Sequence, residues 1–102
     1  MTNISVHIRP SLIALPFHRA FTRPVVEVDG VERQAAWGTT EVAVDGGTHR
    51  LAVYFRYRGQ RTARLGEGHA EFTVDGSVPE IRVTARLGSR NGSHFRVVVG
   101  DR

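Results

Sequence analysis

The sequence contains no cysteine and no lysine among its 102 residues. Without cysteine there is no disulfide framework, no thiolate nucleophile and no cysteine-ligated zinc. Metal chemistry would fall to five histidines and the carboxylates. Without lysine, all 14 basic residues are arginine. The arginine guanidinium pairs bidentately with carboxylate or phosphate and stacks on aromatic rings, as an ammonium cannot. Long apolar runs are also missing. The longest, Leu12 to Phe17, is far below the roughly 20 residues that span a bilayer. The start, MTNISVHIRP, lacks the basic stretch and apolar run of a leader, so a cytoplasmic location is expected.

Catalytic signatures are equally scarce. There is no G-x-S-x-G elbow. Ser93 and His94 are neighbours, but in an extended chain neighbours point to opposite faces. Glu67, His69 and Glu71 are spaced by two and share one strand face, without a second histidine at ligand spacing. The expectation is a protein that is not an enzyme, with no catalytic residue, no cofactor and no metal.

What is present is alternation. A chain of this length is one domain, residues 1–102, and folding buries roughly 65% of its extended surface, enough for one core. Ile4, Val6 and Ile8 alternate with Ser5, His7 and Arg9 in a first strand that stops at Pro10. Pro10 to Pro24 carries Leu12, Ile13, Leu15, Phe17 and Phe21 between prolines and is expected to plug an open end of the core, with a membrane-touching or partner-binding segment as the alternative. Val25 to Val28 reads as a strand and Asp29-Gly30 as a two-residue turn of the primed type. That turn sets Glu27 opposite Glu32, which is unfavourable. Val31 to Gln34 is therefore expected to pair weakly or to leave the ladder.

The stretch from Thr39 to Gly59 is the best specified. Val42 and Val44, a turn at Asp45-Gly46-Gly47, and then Leu51, Val53, Phe55 and Tyr57 read as a β-hairpin with Val42 facing Leu51. A three-residue loop, Gly59 to Arg61, matches Phe55 with Leu65 and Tyr57 with Ala63. Gly66-Glu67-Gly68 interrupts the pattern before Ala70, Phe72 and Val74. After a turn at Asp75-Gly76, Ile81, Val83, Ala85 and Leu87 alternate with polar residues. A loop at Arg90-Asn91-Gly92 then matches Leu87 with Phe95, ahead of Val97 and Val99. About seven short antiparallel strands and no helix indicate an all-β, immunoglobulin-like β-sandwich. A small SH3- or OB-like barrel is the alternative. Trp37 is expected to be largely buried, its indole N–H on a backbone carbonyl. His49 should face the core and cap the sandwich end through a turn carbonyl.

Two segments, Val26-Glu27-Val28-Asp29-Gly30 and Gly47-Thr48-His49-Arg50-Leu51-Ala52-Val53-Tyr54-Phe55, resemble the V-x-V-D-G turn and G-x-H-x-V-x-V strand of PEGA-like domains, which are small β-sandwiches. Arg23-Pro24, Trp37-Gly38 and Phe55-Arg56-Tyr57 are similar to elements of a group of small actinobacterial proteins that often lie beside membrane helices. The likeness covers Pro24 to Leu87. The Thr-Pro that many PEGA repeats carry after the turn is absent. The resemblance implies a non-catalytic interaction or scaffolding module and transfers no catalytic residue.

The charge pattern supplies the remaining candidates. A net charge of +4 permits an acidic partner without requiring one. The registers above put Arg56 opposite Arg64 and Arg86 opposite Arg96 on solvent faces, where like charges repel unless something acidic lies between them. Glu71, Glu80 or a partner's carboxylate could fill that place. Tyr54, Arg56, Arg58, Arg61, Arg64, Arg86 and Arg96 are the candidate partner-binding residues. The expected partner is another protein, acidic or membrane-associated. Aromatics interleaved with arginine from Tyr54 to Arg61 leave weak, non-specific nucleic-acid binding as the alternative.

Overall fold

A computed structural model describes residues 2–9, 22–75, 80–87 and 94–100. Eight strands follow in order: β1 (Thr2–Arg9), β2 (Thr22–Val28), β3 (Val31–Gln34), β4 (Gly38–Val44), β5 (Gly47–Tyr57), β6 (Leu65–Val74), β7 (Glu80–Leu87) and β8 (Phe95–Gly100). They form two four-stranded sheets, β4-β1-β7-β8 and β3-β2-β5-β6. The expected plug from Pro10 to Phe21, and the turns at Gly76 and at Arg90-Asn91-Gly92 with Ser93, lie outside the described residues.

The core lies between the sheets. Ile4, Val6, Ile8, Val42, Val44, Ile81, Val83, Ala85, Leu87 and Phe95 come from the first sheet and meet Val26, Val28, Leu51, Val53, Phe72 and Val74 from the second. Each fully buried side chain of this kind contributes roughly 1.5–3 kcal/mol. Nearly all were legible as the apolar parity of their strands. Two expectations at the rim were too strong. Tyr57 is 40% exposed, its ring edge-to-face with Phe55 at 6.3 Å. Trp37 is half-buried, its Nε1–H donating to the Thr22 carbonyl at 3.3 Å. Its ring lies 6.5 Å from Phe55 of one sheet and 6.2 Å from Phe95 of the other.

Two corrections concern topology. The apparent hairpin between Val42 and Leu51 does not exist: β4 pairs with β1, and β5 with β2 and β6. Asp45-Gly46 carries the chain from one sheet to the other. Alternation cannot separate these cases, because strands in facing sheets and strands in one hairpin both aim their apolar parity at the core. In addition, the strands are not all antiparallel. β1 runs parallel to β7, with Ile4 beside Ile81 and Arg9 beside Arg86.

Other registers are as the sequence indicates. Asp29 and Gly30 take left-handed conformations, with φ of 53° and 83°, the geometry a type I′ turn demands. Phe55 opposes Leu65, and Leu87 opposes Phe95. A β-bulge interrupts β5–β6, placing Gly66 and Glu67 opposite Tyr54. The ladder ends at Leu65, so Tyr57 and Ala63 do not pair, and residues 58–64 form a loop. Further along β6, Gly68 lies against β8. A Cβ at Gly68 would stand 2.1 Å from the Phe95 carbonyl oxygen, so only glycine permits this approach of the two sheets.

His49 fastens the crossover to the second sheet. One ring nitrogen lies 2.7 Å from the Asp45 carbonyl oxygen and the other 2.6 Å from Asp29 Oδ2. Both partners are acceptors, so the protonated ring is the form that satisfies both, and its pKa is raised, chiefly by the Asp29 carboxylate and then by the Asp45 carbonyl. The Asp29 carboxyl is correspondingly held below its ordinary value by His49 and the Arg50 N–H. His49 also lies on Phe72, ring centroids 5.5 Å apart. The expected capping histidine is found, with a carboxylate partner alternation could not show.

Candidate functional site

Strand parity gives each sheet an outer face, and the candidate arginines divide between the two. On the second sheet the outward positions include Glu27 of β2, Glu32 of β3, Tyr54 and Arg56 of β5 and Glu67 of β6. Glu27 and Glu32 oppose each other, as the turn requires. β3 nonetheless stays in the ladder along its full length, contrary to expectation, because each glutamate has its own arginine.

Arg56 is 2% exposed. Its Nη2 donates to Glu32 at 2.7 Å, Nη1 to the Arg61 carbonyl at 2.5 Å and Nε to the Ala63 carbonyl at 3.2 Å. The guanidinium therefore pins the 58–64 loop to the sheet. Arg64 forks onto Glu27 at 2.7 Å and onto Glu67 at 2.6 Å. Its guanidinium sits 4.2 Å above the centre of the Tyr54 ring. Tyr54 is wholly buried, with Val25 and Ala52 in a small second core under these charges. Its hydroxyl accepts from Arg64 at 3.3 Å and donates to Glu32 at 2.5 Å.

The electrostatics follow from these contacts. Arg64 holds Glu67 down to about 2 and lowers Glu27, and Arg56 lowers Glu32. Burial, then the two glutamates, push the Tyr54 phenol far above its ordinary value. Tyr54, Arg56 and Arg64 are thus structural, and the expectation of a solvated Arg56–Arg64 pair is overturned. The acidic groups between them are Glu27, Glu32 and Glu67, not Glu71 or Glu80. Glu71 lies 3.5 Å from Arg50, and His69 bonds Glu67 at 2.7 Å. Glu67, His69 and Glu71 share the outer face but do not converge, and no metal-holding group occurs among the described residues. Arg58 and Arg61 are exposed in the loop, with the Arg61 carbonyl taken by Arg56.

The outer face of the first sheet is built differently. The ladders place Arg9, Arg86 and Arg96 side by side across β1, β7 and β8. All three are exposed. None has a hydrogen bond or ion pair among the described residues. The neighbouring row is His7, Thr84 and Val98, with His7 bonded to Thr39 at 2.7 Å and Val98 55% exposed. Arg82 stands two rows off, 3.8 Å from Glu80, an exposed contact of little strength. No Phe, Tyr or Trp occupies this face among the described residues.

Arg86 opposite Arg96 is as the sequence indicates. Arg9 completes the row and was missed, because only a parallel pairing between distant strands brings it there. No family model, curated protein or solved structure matches the chain. No helix among the described residues is long and apolar enough to cross a membrane.

Proposed function

We propose that the chain is a non-catalytic protein-interaction module that presents the outer face of β4-β1-β7-β8 to an acidic protein surface. The observation that carries this reading is the row of Arg9, Arg86 and Arg96, which no carboxylate of the described residues meets. Like charges side by side on a sheet repel, and an anionic partner turns that repulsion into bidentate attraction. The likeness to PEGA-like modules points the same way, and its two segments meet through Asp29 and His49, residues that hold the fold. The nucleic-acid alternative drew on aromatics among the arginines. Tyr54 is buried and Phe55 faces the core, which favours a protein partner.

Salt dependence does not separate the two, since an arginine contact weakens with salt whichever polyanion it meets. Direct titration does. Polyglutamate and an oligothymidine of equal charge are titrated into the chain and into the Arg9→Glu, Arg86→Glu, Arg96→Glu triple variant. Tighter binding of polyglutamate, lost in a variant that melts normally, is the expected result. Binding of oligothymidine alone, or binding untouched by the three reversals, overturns the reading.

A further inference from the structure

We infer that the arginine row receives an acidic α-helix lying across the strands, an inference that rests on the reading above and specifies the partner's shape. The row crosses three adjacent strands, so at about 4.8 Å per strand its outer members are roughly 10 Å apart. On a helix, carboxylates at i, i+3 or i+4, and i+7 lie in one line and span about 10.5 Å, at 1.5 Å per residue. On an extended segment, three same-face carboxylates span about 13–14 Å and overshoot the row.

The adjacent row supports the same occupant. Thr84 and exposed Val98 lie one pleat from Arg86 and Arg96, roughly 7 Å away along the strands. A helix of about 10 Å diameter covers both rows at once. One column of its side chains would meet the guanidiniums and the next would cover Val98. Charge complementarity thus selects an acidic helix with a small apolar column beside its carboxylates.

Two peptides of identical composition test this. One places glutamates at i, i+4 and i+7 with leucines in the neighbouring column; the other scatters the same residues around the helix. Calorimetry at about 100 mM salt should show the ordered peptide binding about tenfold tighter or better and gaining helical circular dichroism on binding. Arg9→Ala, Arg86→Glu and Val98→Asp should each remove most of that preference, their melts showing that the fold persists. Equal affinity for the two peptides overturns the helix while leaving the acidic-surface reading intact. Failure of both peptides to bind also overturns it, and the polyglutamate titration then decides the broader reading separately.

Discussion

The two outer faces use the same cation to opposite ends. On β3-β2-β5-β6, Arg56 and Arg64 are saturated by Glu27, Glu32, Glu67 and loop carbonyls, and they roof a buried tyrosine. On β4-β1-β7-β8, Arg9, Arg86 and Arg96 stand in a row without a counter-charge among the described residues. The difference lies in what each side chain can reach. Arg56 also has an arginine opposite it on β2, Arg23, but its side chain reaches along the sheet to Glu32 on β3. On the other face, β1 and β8 set Arg9 and Arg96 beside Arg86 on β7. An arginine is therefore structural or available according to what its neighbouring strands deliver, which its own position in the sequence does not reveal.

The largest perturbation parts the faces where the sheets touch. Gly68→Ala drives a methyl into the Phe95 carbonyl, 2.1 Å away. Both sides of the clash are main chain, so the cost should reach about 3 kcal/mol or more, the upper range for overpacking. Chemical denaturation would register it, and a near-neutral result would mean that β6 and β8 do not approach as described.

Next in size is loss of the roof. Arg56→Met keeps the apolar stem but strips Glu32 and two loop carbonyls of their donor. Breaking a buried pair costs about 3–5 kcal/mol. Because the Glu32 side chain is 45% exposed, water takes up part of the loss, and about 2–3 kcal/mol is expected. The matching change on the other face, Arg86→Met, should stay within about 0.5 kcal/mol. Equal effects at the two positions would erase the distinction.

Smaller again is the pH response of the second sheet and its latch. His49 has a raised pKa in the fold. Its contribution is fully present below its unfolded value of about 6.5 and disappears as pH rises through the folded value. Glu27, Glu32 and Glu67 have lowered values. Their contribution is present above about 4.3 and is lost as pH falls through the folded values. Melting temperature should therefore peak between about pH 4.5 and 6.5. Asp29→Asn should flatten the alkaline limb and shrink the acid limb only by Asp29's own share, leaving the part due to Glu27, Glu32 and Glu67. A limb unchanged in that variant would remove His49 as its source.

The smallest effect is on the open face. Arg96→Glu replaces a repulsive neighbour of Arg86 with an attractive one, worth a few tenths of a kcal/mol. A slight rise in melting temperature, alongside loss of polyglutamate binding, would show a surface retained at a small cost to stability.

How much of this was legible follows from the range of each interaction. Alternation reads which way a side chain points, so Ile4, Val53 and Val83 fall in the core as expected. Matching apolar parity across a turn reads local register, as in Phe55 against Leu65 and Leu87 against Phe95, though the first of these loops runs over residues 58–64 and not only Gly59 to Arg61. Neither reads which sheet a strand joins, so Val42 and Leu51 looked like hairpin partners and Arg9 could not be placed. Nor does pointing outward mean reaching water. Tyr54 and Arg56 have the outward parity, yet carboxylates from β2 and β3 and the 58–64 loop close over them. The opposed Glu27 and Glu32 were the available signal, since two facing carboxylates in a ladder require cations at hand.

The parallel pairing of β1 with β7 bears on how the chain folds. Ile4 pairs with Ile81, so a central strand of one sheet waits for partners made far later in the chain. Loops of that length close slowly, and topologies dominated by such contacts fold in milliseconds to seconds. During synthesis β4 can pair one edge of β1 early, but the other edge keeps its backbone groups unpaired until β7 emerges, which leaves it open to mispairing with another chain.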